Sequence, residues 1–167
     1  MSREQQDLLS RGALGAFRLN GEFLAVAEEL ARPAGLTAAW WQVLGAVLRE
    51  PLPVSGIARV MGITRQSVQR IADLLVDRGL AEYRPNPAHR RAKLLAPTER
   101  GYAAVAGIGP GHAAFAKRLA EAFGEAELAQ AVQTMERLCA VLDDLGPPVS
   151  PTVSPTVPSA VPPVTEP

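Results

Sequence analysis

Apolar residues recur along most of this chain at helical spacing. From Asp7 to Leu30 the positions Leu9, Ala13, Ala16, Phe23, Ala27 and Leu30 form a heptad-like stripe interrupted at Asn20. The stripe predicts one long helix, bent near Asn20-Gly21 and preceded by a polar, frayed segment from Met1 to Gln6. Pro33 and Gly35 end it, and Thr37 caps a second helix over Ala38 to Glu50, with Trp41, Leu44 and Leu48 on its buried stripe. Pro51 and Pro53 read as a rigid turn. Ser55 to Met61 reads as a short helix with Ile57, Val60 and Met61 inward, broken at Gly62-Ile63-Thr64. A longer helix follows from the Thr64 cap to Gly79, which suits a left-handed C-cap, and its buried stripe is Val68, Ile71 and Leu75. Leu80 to Arg84 then reads as a strand, Pro85 to Arg90 as a turn around Asn86-Pro87, and Arg91 to Ala96 as a return strand. Thr98 caps a helix over Glu99 to Phe123, with Pro110 among Gly107, Gly109 and Gly111 predicting a kink or break. Glu125 to Leu145 is the most regular helix, its Leu128, Ala131, Met135, Leu138, Leu142 and Leu145 stepping alternately by three and four residues as in a helix-pairing seam.

Helix, turn, helix and then a two-stranded ribbon is the layout of a winged helix-turn-helix, whose second helix fits a major groove. Opposite the buried stripe of that helix lie Arg65, Gln66, Gln69, Arg70 and Asp73. With Thr64 and Ser67 at its start, Arg65, Gln66, Gln69 and Arg70 are the candidate base-reading set. Arginine can grip guanine, and glutamine adenine, with two hydrogen bonds each. Taken alone, such a face is more often the solvated side of an ordinary amphipathic helix. The ribbon favours the first reading. Its tip carries His89, Arg90, Arg91 and Lys93 within five residues, with Arg84 on the incoming strand. Charge that merely guards a sheet edge needs fewer cations than this, whereas a narrow minor groove or its flanking phosphates would attract all of them.

The run from Gly62 to Arg70, then Leu75 to Tyr83, Asn86 to Leu94 and Leu95-Ala-Pro-Thr-Glu-Arg-Gly101 resembles the MarR family of bacterial transcriptional regulators. A weaker likeness continues upstream through Gly35 to Leu44, and the whole spans about Leu8 to Leu145. The resemblance implies a homodimer bound to a pseudo-palindromic operator, usually as a repressor, and often released by a small aromatic or anionic molecule. One departure stands out. The family usually carries Asp-x-Arg in the wing, the carboxylate orienting the arginine; here the residues are His89-Arg90-Arg91, so Arg91 keeps its place without that partner.

Charge adds to this picture. The chain is formally neutral, yet Pro51 to Gly101 holds nine Lys or Arg against four Asp or Glu, a net of +5, leaving −5 elsewhere. One basic lobe on a neutral protein points to a localised polyanionic partner. No apolar run approaches the ~20 residues of a membrane span, and the polar N-terminus lacks the core of a signal peptide, so a soluble cytoplasmic protein is expected, with no membrane partner. Cys139, the single cysteine, excludes an internal disulfide and reads as a small buried hydrophobe. No Cys/His cluster has metal spacing, no phosphate-cradling glycine loop follows a strand, and no acid–base pair has an activating context, so neither a cofactor nor an enzymatic activity is expected.

The expected architecture is therefore mostly α with a small β wing. Residues 1–35 would supply the first helix of a dimerisation lobe, 36–97 the DNA-binding lobe, 98–146 the remaining dimerisation helices, and 147–167 a disordered or polyproline-II tail built from Pro, Ser, Thr and Val. The dimer seam would include Leu9, Phe23, Leu128, Met135, Leu138 and Leu142. Phe17, Trp40, Trp41 and His112 are candidates for an effector pocket, although tryptophans more often serve as plain core or interface and His112 could be structural. A winged helix used only for protein contact is the alternative to a DNA-binding regulator.

Overall fold

Ile57, Val68, Leu75 and Leu95 are fully buried against Val43, Leu44 and Val47, and this junction is the core of a computed structural model that describes residues 2–146. The elements that meet there are α2 (Ala38–Val47), α3 (Val54–Met61), α4 (Arg65–Asp77) and a sheet of β1 (Leu52–Pro53), β2 (Ala81–Arg84) and β3 (Leu94–Pro97). α1 (Arg3–Ala31) precedes them, followed by a 3-10 turn (Arg32–Ala34); α5 (Glu99–Phe123) and α6 (Glu125–Leu145) come after. Ala31 from the end of α1 and Ile108 from α5 also enter the core. A first compact unit ends at Leu119 and a second begins at Ala120.

The caps follow from local chemistry. Thr37 and Thr64 each accept a hydrogen bond from a backbone N–H three residues on, at 3.2 and 3.1 Å. Gly79 holds φ 68°, which lets the chain leave α4 and turn directly into β2. Thr98 closes the far side of the lobe: its hydroxyl donates to the Gly79 carbonyl at 2.7 Å and accepts from the Gly101 N–H at 3.2 Å. Gly101 packs so closely here that a Cβ would run into the Leu80 carbonyl oxygen.

Several expectations are corrected. α1 begins at Arg3 rather than Asp7, because Ser2 and Gln5 cap each other reciprocally at 3.1 and 3.2 Å. As expected, it is one helix through Asn20-Gly21. α2 stops at Val47, and Val43 and Val47 join Leu44 in the core while Trp41 and Leu48 are only half-buried. Leu52 and Pro53 form a short edge strand where a plain turn was expected, pairing with Leu95 and Leu94 in the order β1-β3-β2. An edge is where a sheet tolerates a proline. Val60 is 70% exposed, and Ala58 takes the inward place beside Ile57. The return strand starts at Leu94, so Arg91 to Lys93 belong to the wing loop. Pro110 lies within an unbroken α5, where it removes one backbone bond from a 25-residue ladder. Cys139 is exposed on α6 rather than buried. The Pro-rich stretch 147–167 lies outside the described residues.

Among the described residues, α1 carries a row of exposed apolar side chains: Leu8, Leu9, Leu14, Phe17 and Phe23. Taken by itself, α6 shows the same feature, with Met135, Leu138, Leu142 and Leu145 exposed and Leu128 half-buried.

Candidate nucleic-acid interface

α4 is fixed from beneath by Val68, Ala72 and Leu75, which turns the opposite face outward. Arg65, Gln66, Gln69 and Arg70 are exposed on it. Thr64 and Ser67 are occupied with the helix start, the Thr64 hydroxyl donating to Ser67 Oγ at 2.9 Å while accepting from the Ser67 N–H. Beside this face stands the wing. Asn86 Oδ1 accepts from the N–H groups of Ala88 and His89 at 3.0 and 3.3 Å, an Asx turn that shapes the approach to the tip. His89, Arg90, Arg91 and Lys93 are exposed on that tip.

Between helix and wing runs a cleft of about 630 Å³. Val54 and Ser55 at the start of α3, Arg65 and Gln66 of α4, and Arg91 and Lys93 of the wing face it. Among the described residues no carboxylate pairs with Arg91, in keeping with His89 standing where the family usually has Asp. Arg84 is placed differently from the other cations: its guanidinium is bound to Glu82 at 2.7 and 2.8 Å.

The link between α4 and the wing is a closed set of three hydrogen bonds. Tyr83 Oη donates to Asp73 Oδ1 at 2.6 Å, and Gln69 Nε2 donates both to Asp73 Oδ1 at 2.9 Å and to Tyr83 Oη at 2.8 Å. Partial burial, and then the carboxylate of Asp73, push the Tyr83 hydroxyl up to about 12 from 10.0, so it stays protonated and holds the bond. Lys93 Nζ lies 5.9 Å from the centre of the Tyr83 ring, tying the wing loop to the same residue. Asp73 and Tyr83 were not among the candidates from sequence. The Gln69–Asp73 spacing of four residues was visible as a helix-face pair, but Tyr83 reaches them only through the strand pairing.

The candidate pocket residues do not all meet: only Trp41 and His112 share a cavity. Trp41 and His112 meet edge to face, ring centroids 5.6 Å apart at 87°. They line an apolar cavity of about 270 Å³ between α1, α2 and α5, together with Phe23, Leu30, Phe115 and Leu119. Trp40 faces away from it and lies under Arg78, whose guanidinium carbon is 5.2 Å from the ring centre. Phe17 is 74% exposed and does not line the cavity. Among the described residues no cluster of His, Cys, Asp or Glu could hold a metal ion, and no helix is long and apolar enough to cross a membrane.

A three-stranded wing, a groove-sized helix and a cationic loop define a winged-helix DNA-binding protein. The sequence model of the MarR family matches residues 34–92. An uncharacterized protein of Mycobacterium tuberculosis is 38% identical over 136 residues, covering 81% of this chain and 95% of its own. CouR of Rhodococcus jostii bound to p-coumaroyl-CoA superposes with a TM-score of 0.64 at 26% identity, covering 72% of this chain and 86% of that one. A MarR mutant from Escherichia coli complexed with operator DNA superposes with a TM-score of 0.66 at 21% identity, covering 82% and 99%. The chain belongs to the MarR family of transcription regulators.

Proposed function

We propose that this protein is a homodimeric, operator-specific repressor of the cytoplasm that a small aromatic or anionic ligand releases from DNA. The observation that carries the DNA reading is the single cleft that joins Arg65 and Gln66 of α4 to Arg91 and Lys93 of the wing. α4 supplies long donors for base edges, and the wing supplies cations for the phosphates beside them. Residues 36–97 carry this role, while 1–35 and 98–146 supply the dimer; residues 147–167 take no part in either. The exposed apolar rows on α1 and α6 support a second copy as their cover. Repression has support from the family resemblance, and regulation rather than catalysis from family membership.

The ligand reading is supported by an apolar cavity walled by Trp41 and His112, and by the p-coumaroyl-CoA bound to CouR. An aromatic ring would stack against the indole, and the His112 imidazole and the Gln42 carboxamide are the polar side-chain groups of the lining available to an acid. Fluorescence anisotropy of labelled genomic promoter fragments tests the central role. Saturable binding that weakens steeply with salt, and that competitor DNA of random sequence does not displace, is expected; binding to DNA that is absent at every salt concentration would leave a protein-contact module instead.

A further inference from the structure

Tyr83 is the point at which the wing is tied to the recognition helix. In the sheet order β1-β3-β2 the strand β2 is an edge, paired on one side only. Side chains alternate along it: Ala81 is buried in the core, Glu82 and Arg84 pair with each other at the surface, and Tyr83, half-buried, reaches α4. Its hydroxyl donates to Asp73 Oδ1 at 2.6 Å, and Gln69 Nε2 approaches the same two oxygens at 2.9 and 2.8 Å. One residue further, at the Arg84–Leu94 pair, the ladder ends. The loop beyond is shaped by bonds within itself: Asn86 Oδ1 accepts from the N–H groups of Ala88 and His89, and the His89 carbonyl accepts from the Ala92 N–H at 3.1 Å. Lys93 Nζ, 5.9 Å from the Tyr83 ring centre, brings the end of that loop back to the same residue.

We propose that the Tyr83–Asp73 hydrogen bond positions the wing for DNA, holding it against α4 so that Arg90, Arg91 and Lys93 reach the phosphates beside the groove that α4 enters. Tyr83 and Asp73 are thus positioning residues, and they act through the wing cations. The bond suits this role in strength and in place. A hydrogen bond to a carboxylate is stronger than a neutral one. It also acts at the base of a ribbon, where a small rotation becomes a larger displacement at the tip. A wing already set at its angle does not have to be ordered on binding, so its phosphate contacts are not offset by the entropy of fixing it. Tyr83 lines the same cleft as Arg65, Gln66, Arg91 and Lys93, so the link lies where helix and wing would share one duplex.

The proposal rests on the DNA-binding reading. It is tested by measuring, against salt, affinity for the site that the full-length protein enriches from a random double-stranded library. Tyr83→Phe keeps the ring beside Lys93 and removes only the hydroxyl. It should lower affinity about tenfold and the slope of log affinity against log salt by about 1, while the enriched site stays the same. Asp73→Ala should lower the slope equally, and the two changes together no further than either alone. In a chain that already carries Ala at Arg90, Arg91 and Lys93, Tyr83→Phe should change affinity by no more than about twofold. An equal loss with and without the wing cations would overturn the proposal, because the tyrosine would then act on α4 or on the whole fold. So would additive losses of slope from the pair, or a Tyr83→Phe variant with wild-type affinity and slope. An enriched site altered at one position in Tyr83→Phe would also overturn it, since the bond would then serve base reading by Gln69. A wild type that enriches no site overturns the DNA-binding reading, and this proposal with it.

Discussion

His112 stands edge-on to Trp41, the two rings 5.6 Å apart, at the wall of an apolar cavity between α1, α2 and α5. Trp40, one residue earlier, is outside the cavity beneath Arg78. The two indoles should therefore respond differently to a bound ligand. Titration with small aromatic carboxylates should quench emission in a Trp40→Phe variant, where Trp41 is the only indole, and leave it unchanged in Trp41→Phe. His112→Ala should weaken binding by about tenfold, the cost of one charge-assisted hydrogen bond. Equal quenching of both indoles would move the ligand out of this cavity.

Tyr83 gives the protein an alkaline signature. Its hydroxyl is held up to about 12, first by burial and then by Asp73. Between its ordinary value of 10.0 and about 12 the unfolded chain loses this proton while the folded chain keeps it. Stability contributed by the bond is thus fully present below pH 10 and is lost as pH rises toward 12. Urea midpoints measured across that range should fall more steeply for the wild type than for Tyr83→Phe. Parallel curves would mean that the bond to Asp73 does not hold in solution.

The cations of the wing should act in proportion to their freedom. Arg90, Arg91 and Lys93 are exposed, whereas Arg84 is already paired with Glu82. Every phosphate that a variant no longer neutralises should reduce the slope of log affinity against log salt by about 1. Replacing Arg90, Arg91 and Lys93 together by Ala should lower the slope by about 3, and Arg84→Ala should leave it nearly unchanged. A wild-type slope in the triple variant would exclude the wing from the DNA interface.

Assembly can be tested on α6. Leu138 is 54% exposed in the single chain, midway along the row from Leu128 to Leu145. If a second copy covers this row, Leu138→Asp places a charge in the seam and should yield monomers with DNA affinity reduced to the non-specific level. A chain stopped after Gly146 should remain dimeric and bind normally. Sedimentation equilibrium separates the cases: a monomeric wild type, or a dimer lost only with the tail, would put the interface elsewhere.

The parts of this fold that local chemistry decides could be read in advance. Thr37 and Thr64 cap the helices they were expected to cap, Gly79 takes the left-handed turn, and the steps of three and four from Leu128 mark one face of α6. What pairing decides could not. β1 holds a proline and has no strand pattern of its own, and exists because β3 offers it an edge. The inward place on α3 went to Ala58 rather than Val60, because the side of the helix that meets the core is set by tertiary packing, which side-chain size alone does not reveal. The cleft followed the same rule. Arg65, Gln66, Arg91 and Lys93 were legible as cations and donors, while the commitment of Gln69 to Asp73 and Tyr83 depends on where β2 lies.

The most direct measurement is to incubate the full-length protein with sheared DNA of its own genome and sequence what it retains. A dimer that presents two α4 helices to successive major grooves needs them about 34 Å apart. The retained fragments should share one inverted repeat, with half-site centres about 10 base pairs apart, and Gln66→Ala should alter the repeat rather than merely weaken retention. Fragments with no common motif, or the same repeat recovered with α4 carrying Ala at Arg65, Gln66 and Arg70, would contradict recognition of an operator by this helix.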